Sequence, residues 1–317
     1  MNKLISIVIP MYFEENVAHE CYRRLKQVME DHLFQYEFVF VNDGSKDKTE
    51  EILTELSSVD KQVKVINFSR NFGHQTAVTA GVHYASGDAI VIIDADLQDP
   101  PELIPSLINK WKEGYEIVYA KRKKRQGETW FKLLTAKYFY RFLNYMSEIE
   151  IPKDTGDFRL IDRKVANVFI QMSERNRFVR GMFSWIGFNQ TYIEYERDER
   201  FAGETKYPLK KMIRFASDGI IAFSTKPLKI VMTLGFCSVL VSIFVLLYTL
   251  VIKLTGQQVQ AGWASIMVAI TFFSGIQLLG MGIVGQYIAR IYDESKNRPI
   301  YIVKDTINIE EMDKNRD

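Results

Sequence analysis

The first two-thirds of the chain alternates short apolar runs with longer amphipathic ones. Residues 5–10, 37–42, 63–67, 89–93 and 117–120 are dominated by β-branched and aromatic side chains, the composition of strands buried on both faces. Between them, residues 16–32, 48–57, 75–84 and 101–113 carry apolar positions at helical spacing. Strand–helix alternation of this kind predicts a doubly wound parallel sheet with right-handed crossovers.

The last third changes character. Residues 230–252 and 259–289 contain no Asp, Glu, Lys or Arg. A helix rising about 1.5 Å per residue crosses about 30 Å of hydrocarbon in roughly 20 residues, so both runs suffice. The short link 253–258 makes them a hairpin. Lys210, Lys211, Arg214, Lys226 and Lys229 precede it and Arg290, Lys296 and Arg298 follow it, against Lys253 alone in the link. The positive-inside rule then puts both termini in the cytoplasm. Gly280, Gly282 and Gly285 fit the spacing G-x-G-x-x-G, but no strand precedes them. A dinucleotide site needs that strand, and close helix packing in lipid is the better reading.

Two further segments have one apolar and one basic side. In 130–146, Trp130, Phe131, Leu134, Tyr138, Phe142 and Tyr145 oppose Lys132, Lys137 and Arg141; in 209–223, Leu209, Met212, Ile213 and Ile220 oppose Lys210, Lys211 and Arg214. Both are expected to lie in an anionic membrane interface. The expected division is residues 1–226 as a cytoplasmic domain carrying these two helices, 227–290 as a transmembrane hairpin, and 291–317 as a cytoplasmic tail.

Composition narrows the partners. The 41 basic and 39 acidic side chains nearly cancel, so bulk charge gives no reason to expect nucleic acid. Cys21 and Cys237 lie far apart in different kinds of segment, which excludes a disulfide framework or a cysteine metal site. Residues 1–4 lead directly into a strand without a signal-peptide pattern.

The chemistry gathers where the strands end. The run 89–93 opens into Asp94, Asp96, Gln98 and Asp99, closed by Pro100 and Pro101. Helix capping accounts for Asp99 but not for Asp94 and Asp96, and two carboxylates at i and i+2 can converge on one hard cation. The first strand delivers Pro10, Tyr12, Glu14 and Glu15, the second Asp43-Gly44-Ser45, and the third Ser69-Arg70-Asn71-Phe72-Gly73. Each is weak alone. Together they share one rim, because open α/β sheets bind ligands at the carboxyl ends of their strands. A nucleotide fits that rim, with Asp43 accepting from base or ribose and a metal at Asp96 bridging a diphosphate.

These motifs, with Arg125-Gln-Gly-Glu-Thr129, Asp154-Thr-Gly-Asp157-Phe-Arg159-Leu160 and the run from Arg200 to Lys206, resemble the family-2, GT-A-fold glycosyltransferases. More narrowly they resemble membrane-bound polyprenyl-phosphate glycosyltransferases related to dolichol-phosphate mannose synthase and bactoprenol glucosyltransferases. The resemblance covers nearly the whole chain, hairpin included. It implies a GT-A (Rossmann-like) domain that transfers a hexose, with inversion, from a nucleotide sugar to undecaprenyl or another polyprenyl phosphate. UDP-glucose or UDP-N-acetylglucosamine is favoured as donor over GDP-mannose, and the expected location is the bacterial inner membrane.

The same resemblance assigns Mg²⁺ or Mn²⁺ to Asp94, Asp96 and Gln98, and the nucleotide sugar to Pro10, Tyr12, Glu14, Asp43, Arg70 and Asp94. Asp157 falls at the family's catalytic acid–base position, with Asp96 as the second catalytic carboxylate. Asp157 could act as a base or could orient the acceptor and steady a sugar cation; a structural pairing with Arg159 competes with both. Arg122, Arg125, Arg200 and Lys206 are the expected acceptor-phosphate cations. A sugar–lipid made on the inner leaflet needs a flippase and a downstream glycosyltransferase if it is used outside, and the glycine-rich spans invite a homo-oligomer. A processive polysaccharide synthase is disfavoured because no Trp follows an Arg. A non-catalytic scaffold or translocase subunit is disfavoured by the intact acid cluster.

Overall fold

Strand β1 (Leu4–Met11) is buried at every position after Leu4, as a strand covered on both faces must be. It pairs in parallel with β2 (Gln35–Asn42) and with β4 (Ala89–Ile92), and β2 pairs in parallel with β3 (Val63–Phe68). The crossovers are α1 (Ala18–Asp31), α2 (Thr49–Val59) and α3 (His74–Tyr84). Helix α1 buries Ala18, Cys21, Leu25, Val28 and Met29, the stripe that helical spacing lays on one face. A 3₁₀ turn (Pro101–Leu103) leads into α4 (Ile104–Lys112), which buries Ile104, Leu107, Ile108 and Trp111. The computed structural model describes residues 3–123, 155–196, 224–255 and 262–309. The segments 130–146 and 209–223, and with them Arg125, Arg200 and Lys206, lie outside the described residues.

Beyond β4 the sheet departs from the all-parallel expectation. β5 (Ile117–Arg122) does not pair with β4: β6 (Thr155–Asp162) lies between them and runs antiparallel to both. β7 (Gln190–Tyr195) pairs in parallel with β5 at one edge, and β8 (Val303–Ile307) pairs antiparallel with β3 at the other. The order is β7-β5-β6-β4-β1-β2-β3-β8. β6 is not an apolar run: Asp157 and Arg159 are interleaved with Phe158, Leu160 and Ile161. After β6 come α5 (Arg163–Gln171) and α6 (Val179–Ile186). The Asp162 carboxylate caps α5, accepting from Lys164 N at 2.9 Å and from Trp111 Nε1 at 2.7 Å.

The opposite end of the sheet holds a buried charge of its own. Glu37 Oε1 accepts from Ser6 Oγ and Ser86 N, each at 2.5 Å, and its Oε2 meets Lys64 Nζ at 2.6 Å. This network sits at the amino ends of β1 to β3 and is structural: it pays the desolvation of a buried carboxylate with three partners.

The chain divides into two units, one comprising 1–141, 149–212 and 298–317, the other 142–148 and 213–297. The second contains α7 (Lys226–Leu254) and α8 (Trp263–Ser295). Their segments Lys226–Val245 and Val268–Ser295 are long and apolar enough to cross a membrane. The helices approach closely at Gly280, where an added Cβ would lie 2.9 Å from Val231 Cγ1. Tyr287 OH donates to Ser224 O at 2.6 Å near the start of α7.

Candidate active site

Antiparallel register explains why two distant acids meet. Ile92 pairs with Arg159, and the same register carried two residues further sets Asp157 opposite Asp94. The chain leaving β4 then turns sharply at Leu97, whose φ of 56° is rare for a residue with a side chain. Burial of Leu97 to 2% exposure holds that turn. It lets Gln98 N donate to Asp96 Oδ1 at 3.1 Å.

His74, the first residue of α3, completes the group. Its Nε2 stands 3.2 Å from Asp157 Oδ2 and 3.5 Å from Asp94 Oδ1. From α6, Arg180 grips the far side of Asp157, with Nε 2.7 Å from Oδ1 and Nη2 3.2 Å from Oδ2. Arg159 is the more distant partner, at 3.8 Å from Asp157 Oδ1; it donates instead to the carbonyls of Gly156 and Asp157.

The electrostatics separate the two acids. Burial lifts Asp94 to about 6, with Asp157, Asp99 and Asp96 adding to the rise and His74 opposing it. Burial acts the same way on Asp157, but Arg180 and His74 overcome it and hold that carboxyl well below the usual range. Desolvation disfavours the imidazolium of His74, yet Asp94 and Asp157 outweigh it and lift the group to about 9.

A divalent cation fits this donor set. Asp94 Oδ1 is buried and receives no hydrogen bond among the described residues. The ligand atoms of His74, Asp94 and Asp157 all lie within 4.8 Å of one another, and two carboxylates with one imidazole are a donor set for a divalent cation. Of the expected ligands, Asp94 is in the cluster and Asp96 is near enough to raise its pKa. Gln98 is placed through its backbone bond to Asp96.

Beside the cluster, a cleft of about 690 Å³ opens at the carboxyl ends of β1 to β3, lined by Tyr12, Gly44, Ser45, Phe68, Arg70 and Lys304 among others. Gly44 has φ 67°, and a Cβ there would lie 2.7 Å from Asn71 N, so the turn requires glycine. The loop from Arg70 to His74 joins cleft and cluster; four residues reach at most about 14 Å.

The remaining expected residues are placed as follows. Tyr12 and Arg70 line the cleft, and Arg70 also stacks 4.0 Å over the Phe72 ring. Pro10 is a buried member of β1 opposite Val41. Glu14 lies in the turn ahead of α1, its carbonyl accepting from Val17 N and Ala18 N.

Asp43 is held by the loop that follows β3. Its carboxylate accepts from Phe72 N at 2.6 Å and from Gly73 N and Asn71 Nδ2, each at 2.9 Å. At 3% exposure it fastens the β3–α3 loop. Arg122, on β5, donates through Nε to the Tyr195 hydroxyl at 3.2 Å and stands 3.6 Å from Asp99.

His74, Arg180 and Lys304 were not foreseen. Each had a local signal: His74 follows the loop glycine, Arg180 sits in Phe178-Val-Arg-Gly-Met182, and Lys304 sits in the alternating run 301–309.

A family model described as "Glycosyl transferase family 2" matches residues 6–169. The chain is 57% identical over 305 residues to "Uncharacterized glycosyltransferase YkcC" of Bacillus subtilis (strain 168), covering 96% of this chain and 94% of that protein. It is 41% identical over 300 residues to "Bactoprenol glucosyl transferase" of Shigella phage SfV, covering 95% and 98%. Among solved structures, mannosyl-3-phosphoglycerate synthase from Rubrobacter xylanophilus aligns at a TM-score of 0.47 and 16% identity, over 68% of this chain and 71% of that one.

Proposed function

The chain belongs to glycosyl transferase family 2, and on that premise we propose that it transfers a hexose from a nucleotide diphosphate sugar to a polyprenyl phosphate, inverting the anomeric carbon. The proposed donor is UDP-glucose or UDP-N-acetylglucosamine and the proposed acceptor is undecaprenyl phosphate. The observation that carries this reading is the Asp94–His74–Asp157–Arg180 cluster at the strand ends of a glycosyltransferase chain. The polyprenyl acceptor is supported by 41% identity to a bactoprenol glucosyl transferase over a span that includes the apolar hairpin.

The reaction forms a bond from an acceptor phosphate oxygen to the anomeric carbon and breaks the bond from that carbon to the nucleoside diphosphate. A phosphate monoester is already largely dianionic near neutral pH, its second pKa being about 6, so no proton has to be removed. Asp157, held ionised by Arg180 and His74, is too weak a base to be suited to proton abstraction at neutral pH. Its work in this reading is electrostatic: a fixed negative charge that steadies the developing sugar cation and orients the acceptor. Asp94 and Asp96 would hold a divalent cation, with His74 joining them as a neutral imidazole once the cation displaces its proton, and the cation would supply charge neutralisation for the leaving diphosphate. Arg200 and Lys206 are proposed to receive the lipid phosphate, where Arg offers a bidentate fork and Lys a point charge.

The catalytic domain is proposed to face the cytoplasm at the inner membrane, where the donor is made. The chain's return from the hairpin to the sheet at β8 supports both ends of the hairpin lying on one side. The test supplies purified protein with a panel of nucleotide sugars and undecaprenyl phosphate, and reads the lipid by mass. A hexosyl-phospholipid from one UDP-sugar is expected. Hydrolysis of the sugar nucleotide with no glycosylated lipid across the panel would sink the acceptor assignment.

A further inference from the structure

Strand β8 is bound to the catalytic sheet along its length. Ile302 O accepts from Ser69 N at 3.0 Å, and Asn67 Nδ2 donates to Asp305 Oδ1 at 2.6 Å. Asn308 Nδ2 donates to the carbonyls of Ser57 and Val63 at 2.7 and 2.9 Å. Ahead of the strand, the Tyr301 ring stacks on Phe68 with centroids 5.2 Å apart, and its hydroxyl meets His83 Nδ1 at 2.8 Å. The direction of β8 decides what it brings to the site. Because it runs antiparallel to β3, with Val303 opposite Phe68, its beginning stands at the rim where β1 to β3 end. Lys304 therefore lines the cleft together with Glu50 from the first turn of α2, and Lys304 Nζ lies 2.7 Å from Glu50 Oε1.

We infer that β8 is one wall of the nucleoside part of the cleft and that the Lys304–Glu50 pair contacts the base or ribose of the donor nucleotide. The inference rests on the proposed nucleotide-sugar donor and adds to it a residue from beyond the apolar hairpin. A nucleoside edge alternates acceptors with N–H or O–H donors. The ammonium of Lys304 donates to a carbonyl or ether oxygen, and the carboxylate of Glu50 accepts from a hydroxyl or ring N–H. On an open surface such a pair contributes little to stability. Here both groups border one cleft, between the Phe68–Arg70 wall and the Gly44–Ser45 turn, where a ligand can use them together. The phosphates are left to the far end of the β3–α3 loop, at His74 and Asp94.

The test uses full-length protein in detergent and calorimetry without lipid. UDP, GDP, UMP and GMP are titrated into the unmodified chain and into Lys304→Met, Lys304→Ala and Glu50→Gln. For the nucleotide that binds, both lysine variants are expected to lose roughly tenfold in affinity, the lower range for a hydrogen bond to a charged group. The loss should be equal for the diphosphate and its monophosphate, and the KM for polyprenyl phosphate should stay put. Nucleotide affinities within twofold of the unmodified chain in both lysine variants would overturn the inference. So would a loss seen for the diphosphate alone, which would move the contact to phosphate, or a rise confined to the lipid KM. Failure of the unmodified chain to bind any of the four nucleotides would overturn the donor reading itself.

Discussion

At Asp157 a guanidinium and an imidazole meet one carboxylate, and they do different things. Arg180 approaches edge-on through two nitrogens, which fixes the plane of the carboxylate as well as its charge. His74 bridges it to Asp94. Arg180→Ala should therefore lower turnover by roughly 10- to 100-fold, the range for losing a group that orients a site carboxylate, while nucleotide affinity stays near that of the unmodified chain. Arg180→Lys should restore only part, because an ammonium replaces the charge without the fork. An equal loss of nucleotide binding in both variants would instead mark Arg180 as part of the donor site. A second prediction concerns the cation. Asp96→Asn keeps shape and removes charge beside Asp94, so activity should fall by orders of magnitude, and EDTA should abolish it in the unmodified chain until Mg²⁺ or Mn²⁺ is added back. Full activity in EDTA would remove the metal from the mechanism. The two acids following β4 were readable in the sequence, since capping did not explain them. The cluster that Asp94 joins was not, because His74 and Asp157 are 83 residues apart and only the placement of β6 beside β4 unites them.

Among the elements, the parallel half of the sheet was legible and the antiparallel additions were not. β1 to β4 are nearly unbroken apolar runs, which periodicity finds. β6 interleaves Asp157 and Arg159 with its apolar residues, and Arg159 is buried between the Tyr119 and Phe183 rings at 5.2 and 5.0 Å. A buried arginine in a strand defeats a hydrophobic pattern. β8 is short, and its Lys304 and Asp305 are exposed. Two substitutions separate the ends of the sheet. Glu37→Ala, at the amino end, leaves Lys64 half of a broken buried pair and should cost about 3–5 kcal/mol. The lowered thermal midpoint should come with an unchanged nucleotide affinity in the folded fraction. Gly44→Ala, at the carboxyl end, puts a Cβ against Asn71 N at positive φ and should destabilise by about 1–3 kcal/mol. There the nucleotide affinity should fall with stability, because the displaced backbone is the cleft wall. Matching behaviour of the two variants in both assays would erase the distinction between a structural end and a binding end.

For the whole molecule, connectivity matters more than any single contact. The chain leaves the sheet, passes through α7 and α8, and rejoins the sheet at β8. With Cys237 replaced by alanine, Gln257→Cys in the interhelical link should react with an impermeant thiol reagent on intact cells, and Asn315→Cys should not. The reverse pattern would overturn the cytoplasmic orientation. The order of synthesis adds something more. Protein chains emerge and fold amino end first, so the strand that completes the β3 edge is translated only after both apolar helices. Until then β3 presents a row of unpaired backbone groups, the kind of edge that draws in other strands. A polypeptide halted before the hairpin would carry the acids of β4 and β6 but only part of the wall that Lys304 provides. The enzyme is thus finished last at the place where its donor is expected to enter, and a stray cytosolic fragment would be a poor consumer of nucleotide sugar. Appending residues 298–309 to a fragment ending at 225 should suppress its aggregation; no change would show that the β3 edge is protected by other means.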